Sequence, residues 1–179
     1  MGKNKKSVPN IEDRSRYVKL MLYPDNPLHK SLIDRILSHD LILFEKTTVW
    51  TYIGIIHNPN SEIEGIKTHY HIYLSFVNPM AIKSLCRRFG FFTDVGDPDD
   101  QFVRVISGKM EDAMPYLTHL NAPEKELYPD SALFGDSCLI ADYQKLHHIF
   151  CRNNTLLSRN PIRSLFKCIT FINLFRQIF

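Results

Sequence analysis

Cysteine is scarce in this chain. There are four in 179 residues, at positions 86, 138, 151 and 168. They are widely spaced and form no C-x-x-C pair, which argues against a zinc site or a disulfide frame; they read as reduced intracellular thiols, and a cytoplasmic location is expected. No G-x-x-x-x-G-K-[ST] run occurs, so no nucleotide cofactor is signalled. No window of 18 residues is apolar and free of charge, so no membrane span is expected. The first 20 residues hold lysines but no apolar stretch leading to a small-residue cleavage site, and do not read as a secretory leader. No repeat appears at a period of 20–50 residues. What is present is ordinary: 44% hydrophobic and 23% charged residues. That composition excludes wholesale disorder, and the length is enough for one domain with a real core.

The net charge is also small, 22 basic against 19 acidic groups, or +3. Its distribution is uneven. Residues 1–20 carry six basic and two acidic groups, and residues 141–179 carry six and one, so the middle of the chain holds −6. Two basic ends around an acidic centre suit a protein that grips a phosphate backbone with its ends and holds cations between them; a chance imbalance between segments accounts for the same numbers.

The apolar pattern is more specific. Residues 1–15 read as a basic flexible arm. Arg16–Tyr23 alternates as a strand. Asn26-Pro27 supplies an N-cap and a first-turn proline, and Leu28, Leu32, Ile33, Ile36 and Leu37 then recur at helical spacing, which predicts a helix over 27–39. Val49–Ile56 and Thr68–Phe76 read as strands joined by a polar loop, forming an antiparallel pair. Asn78-Pro79 repeats the cap signal before a second helix carrying Ile82, Leu85, Cys86 and Phe89. Gln101–Ile106 is a short strand. Residues 109–120 are a third helix, disturbed by Pro115. The order β-α-β-β-α-β-α predicts an α+β, ferredoxin-like fold: an antiparallel sheet with helices packed on one face. The domain is expected over 16–143, with a tail over 144–179 that includes a helix near 141–150 and a basic, apolar-rich segment over 162–179.

Within that plan one strand stands out. Strand alternation aims His69 and His71 at the same face, where two imidazoles can share a divalent cation. His57 ends the preceding strand, beside the start of the His69 strand, and Asn60, Glu62 and Glu64 follow it. Three histidines plus an oxygen donor suit a borderline metal such as Mn²⁺; a histidine that only caps a strand end is the competing reading for His57. Tyr116 and His119 lie at i and i+3 and so share a helix face. A tyrosine hydroxyl is a poor nucleophile at neutral pH without a cation to stabilise the negative charge, and the histidine cluster can supply one. A half-buried structural tyrosine is the plainer alternative.

These residues carry a resemblance. HYHIYLSF is similar to the His-hydrophobic-His strand of the HUH endonucleases. PYLTHLNAPEKELY resembles the tyrosine motif of the rolling-circle replication initiators of small plasmids, and RYVKLMLYPD resembles that family's first motif. The resemblance spans roughly residues 16–143. It implies an HUH fold and a metal-dependent single-strand DNA endonuclease that nicks one strand of the double-strand origin. Tyr116 matches the nucleophile, which forms a 5′-phosphotyrosine link and leaves a 3′-hydroxyl primer; a second strand transfer then closes the displaced circle. His57, His69 and His71 match the metal ligands, with Mn²⁺ or Mg²⁺ as cofactor. The family has an aspartate where this chain has Asn60, and Pro115 before the tyrosine is a second departure.

The resemblance further implies origin DNA and the host replication machinery as partners, with a homo-oligomer one option: the tail reads equally as a truncated or frame-altered end, a small oligomerisation helix or a membrane-surface helix. Lys125 and Tyr128 match positions of the tyrosine motif that contact DNA or brace the helix. Lys83, Arg87 and Arg88 have helical spacing and suit phosphates, although a solvated helix face explains them equally. Two other readings use the same residues. One is a non-catalytic nucleic-acid-binding module of the same fold, disfavoured by the lack of an RNA-recognition motif. The other is a related HUH transposase or relaxase. An amide brings no charge to a cation, so Asn60→Asp is expected to tighten Mn²⁺ binding measured by titration calorimetry; an unchanged Kd places residue 60 outside the ligand set.

Overall fold

The computed structural model describes residues 14–38, 50–58, 67–122 and 124–158. Asn60, Glu62 and Glu64, the basic arm before residue 14 and the segment 162–179 lie outside the described residues. The chain divides into two compact units, residues 1–143 and 144–179.

The first strand, β1 (Arg14–Leu22), leads into helix α1 (Pro27–Leu37). The expected cap is present: the Asn26 side chain accepts from the backbone N–H groups of Leu28 and His29 at 3.0 and 3.3 Å, and Pro27 opens the first turn. A cap of this kind contributes about 1 kcal/mol. Burying Leu32, Ile33 and Ile36 contributes roughly 1.5–3 kcal/mol each, so packing holds the helix and the cap decides where it starts. Strands β2 (Trp50–His57) and β3 (His69–Ala81) follow, then α2 (Ile82–Phe89) and β4 (Val103–Val105). A short β5 (Leu133–Gly135) pairs with β2, and α4 covers Ser137–Ser158. The sheet order is β4-β1-β3-β2-β5, with every neighbouring pair antiparallel. The α+β, ferredoxin-like expectation holds, with β5 added at one edge.

Strand register divides the sheet into two faces. Leu20 pairs with Ile72, Val18 with Leu74, and Tyr52 also with Leu74. These side chains meet Leu32, Ile33 and Ile36 of α1 and Ile82, Leu85, Cys86 and Phe89 of α2 in one buried cluster. The alternate residues point the other way: Lys19 pairs with Tyr73, Met21 and Ile55 both pair with His71, and His57 pairs with His69. The two crossover helices therefore share one face, and the histidines occupy the opposite one.

Three local readings change. Asn78-Pro79 does not cap α2; β3 runs through it to Ala81, because Arg14 and Ser15 pair with Ala81 and Met80. Pro79 falls where the β1 register shifts, so its missing N–H costs no ladder bond. Its carbonyl accepts from the Arg14 guanidinium at 3.0 Å. The helix expected over 109–120 is only a turn, α3 (Met110–Ala113), followed by a 3₁₀ turn over Met114–Tyr116. Pro115 has no N–H to continue the α pattern, and the chain tightens instead, with Leu117 N–H bonding to Met114 O at 2.9 Å. The last helix begins at Ser137, earlier than expected.

Gly54 is required where β5 crosses β2. A Cβ there would lie 2.6 Å from the Phe134 ring and 2.9 Å from the His71 carbonyl oxygen. Gly54→Ala is expected to cost about 1–3 kcal/mol of stability as Phe134 is displaced, read as a lower urea midpoint at an unchanged m-value.

Candidate metal and tyrosine site

The site is built on the sheet face opposite α1 and α2, beside the buried Ile53, Ile55 and Tyr73. His57 ends β2, and His69 and His71 lie opposite it on β3, so antiparallel pairing brings three imidazoles together from two strand ends. One ligand nitrogen from each lies within 4.8 Å of the other two. Ring centroids are 4.7 Å apart for His57 and His71, 5.3 Å for His57 and His69, and 4.9 Å for His69 and His71.

Two backbone carbonyls decide which nitrogens are open. The buried His57 ring donates through Nε2–H to Leu117 O at 2.7 Å. His69 donates through Nδ1–H to Lys67 O at 2.7 Å. A carbonyl only accepts, so in the neutral rings His57 presents its Nδ1 lone pair and His69 its Nε2 lone pair. The carbonyls thus orient the rings as the outer partners of metal-bound histidines do. Nε2 of His69 and Nε2 of His71 are 3.2 Å apart. Two nitrogens each about 2.1 Å from one cation, at angles between octahedral and tetrahedral, are separated by about 3.0–3.4 Å. That pair has the spacing one divalent ion spans, and His57 brings a third nitrogen within 4.8 Å of both.

Protonation state agrees with that fit. Burial lowers His57 to about 4, partly opposed by its bond to Leu117 O, with the neighbouring His119, His69 and Lys125 lowering it further. Burial lowers His71 to about 3, reinforced by His57, His69, Lys19 and His119. Both rings are neutral near pH 7, the form that coordinates. Among the described residues the cluster includes no carboxylate.

Tyr116 lies on the same face. Its ring centroid is 6.0 Å from that of His71 and 5.4 Å from that of His119. Tyr116 and His119 come together as expected, by another route: the chain leaves the 3₁₀ turn and His119 takes a left-handed conformation, φ 61°. That conformation costs a non-glycine residue about 1–2 kcal/mol. The His119 ring is held by donating Nδ1–H to Glu126 O at 2.7 Å and by packing 4.3 Å from His57. The tyrosine turn is anchored beneath by a buried hydrogen bond between the Thr118 and Tyr143 hydroxyls.

The expected DNA contacts separate into two groups. Lys125 and Tyr128 are in the site: Lys125 Nζ donates to the Tyr116 hydroxyl at 2.5 Å, and the Tyr128 ring stacks on His57 with centroids 4.5 Å apart. Lys83, Arg87 and Arg88 are on α2, behind the sheet. Sequence reading missed Lys19, whose ammonium is 5.9 Å from the Tyr116 ring centroid, and Tyr23, whose ring is 5.9 Å from that of His69. The signal for Lys19 was available: a lone charge between Val18 and Leu20 marks the open face of an otherwise buried strand.

A family described as plasmid replication protein, origin binding domain, matches residues 12–136. The chain belongs to that family. No curated protein matches it. The histidine cluster and Tyr116 both fall inside the matched span, and no described helix is long and apolar enough to cross a membrane.

His29 is buried as well, accepting from Tyr23 N–H at 3.1 Å, and burial lowers it below the ordinary 6.5. For His29, His57 and His71 the unfolded chain binds protons near pH 6.5 while the native state does not. Their contribution is complete above about pH 6.5 and is lost as pH falls through the folded values, near 4 for His57 and 3 for His71. Metal-free protein is expected to melt progressively lower from pH 6.5 to 4, and a His57→Asn/His71→Asn variant to show a shallower decline by thermal denaturation.

Proposed function

We propose that this chain initiates rolling-circle replication of a plasmid by nicking one strand of the double-strand origin through Tyr116. The observation that carries the reading is the tyrosine hydroxyl, capped by Lys125 at 2.5 Å, beside three convergent imidazoles in an origin-binding domain. The Tyr116 oxygen attacks the scissile phosphorus, and the bond from phosphorus to the 3′ oxygen breaks. The 5′ phosphate stays on the tyrosine. The phenol gives up one proton and the departing 3′ oxygen takes one up, so no nucleotide is consumed. Reversal against a new 3′-hydroxyl closes the displaced circle.

Each residue has a role in that step. Lys125 holds the phenol oxygen and stabilises the negative charge it gains as its proton leaves. Tyr128 braces His57 by stacking. His57, His69 and His71 would hold Mn²⁺ or Mg²⁺, which would polarise a phosphate oxygen as a Lewis acid. Neutral ligands leave the ion's charge uncompensated, which suits an anionic substrate. Lys83, Arg87 and Arg88 are assigned to phosphates of the flanking duplex. The reaction takes place in the cytoplasm, the 3′-hydroxyl primes the host replication machinery, and residues 144–179 are assigned to self-association.

Wild-type protein incubated with single-stranded origin DNA and Mn²⁺ is expected to yield a covalent protein–oligonucleotide adduct by mass spectrometry. Tyr116→Phe should lose the adduct and retain origin binding nearly intact. Cleavage that survives the substitution assigns the nucleophile elsewhere.

A further inference from the structure

On the side of Tyr116 nearest Lys19 the surface sinks into a cleft of about 300 Å³. Tyr116 forms one wall, buried Tyr73 lies behind it, and Lys19, Ser107, Asp112 and Asn121 bring polar side chains to its rim. Among the described residues none of these four side chains makes a hydrogen bond or ion pair. The volume is at the low end of the range for small-ligand pockets, about 300–1,000 Å³.

The chemistry of the lining selects what enters. A carboxylate at Asp112 repels phosphate but accepts from an exocyclic amino group, as acidic side chains do from cytosine N4. The half-buried Tyr116 ring favours a flat aromatic guest, while Tyr73 is buried beneath it. Lys19 lines the cleft with its ammonium 5.9 Å from the Tyr116 ring centroid, a cation within reach of a phosphate attached to such a guest. We infer that the cleft is a base-reading subsite, taking the nucleobase next to the scissile phosphate with Asp112 selecting a base that bears an exocyclic amino group. The inference rests on the nicking role of Tyr116 and adds a sequence-reading element to it.

A single-stranded oligonucleotide library of random sequence, incubated with full-length protein and Mn²⁺, tests both. Covalent adducts are recovered and the attached DNA is sequenced. Wild-type protein is expected to show a preference of about tenfold for amino-bearing bases at one position adjoining the joined phosphate. Asp112→Ala, which removes the acceptor, should flatten the preference at that position alone. Lys19→Gln should weaken capture of all sequences and reduce the slope of log affinity against log salt by about one. If wild-type protein captures DNA and its profile is unchanged in Asp112→Ala, the cleft does not read a base and the nicking role stands. If wild-type protein captures none, the nicking role fails and the subsite fails with it.

Discussion

One buried hydrogen bond ties the two halves of the site together. His57 donates through Nε2–H to the carbonyl of Leu117, the residue directly after Tyr116. The bond fixes which nitrogen of His57 faces the cluster, and it seats the tyrosine turn on the histidine face. A buried imidazole without this partner would carry an unsatisfied donor, at a cost of about 1–3 kcal/mol. The constraint therefore runs both ways: the turn orients the ring, and the ring locates the turn.

Both faces of the sheet are packed, at Ile53, Ile55 and Tyr73 on the histidine side, and the chemistry-bearing side chains all lie opposite α1 and α2. On one face Val18, Leu20, Ile72 and Leu74 pack against α1 and α2 and form the core. On the other, the alternate positions of the same strands supply Lys19, His69, His71 and Tyr73. Rigid strands hold the imidazoles at separations that a cation can span, and their burial keeps two of them uncharged. Lys19 and Lys125 approach Tyr116 by separate routes. The histidine cluster has no carboxylate among the described residues, although the central part of the chain is acidic overall and Asp112 lines the neighbouring cleft.

Legibility in the sequence followed the range of the interactions. Strand alternation and the Asn26-Pro27 cap are local, so β1, α1, β2 and the start of β3 are legible to within two residues. His57, His69 and His71 were legible because a strand pair has one register rule. The Asn78-Pro79 signal misled because β1 pairs beyond it, a contact between distant segments. β5 spans three residues, too short for periodicity, and exists because Phe134 fits over Gly54. The length of the 109–120 helix was overestimated since Pro115 and the left-handed His119 replace α geometry with tighter turns. Lys125 was noticed as a motif position; that its ammonium caps the tyrosine depends on the His119–Glu126 bond, which no spacing rule shows.

The strand order carries a consequence for synthesis. Tyr116 and the ring that stacks on His57 come after all of the first four strands, and β5 closes the edge last. A ribosome-bound fragment ending before these segments has imidazoles but no phenol against them. On the proposed reading, the residues needed to cut are complete only once synthesis has passed Tyr128, after four of the five strands.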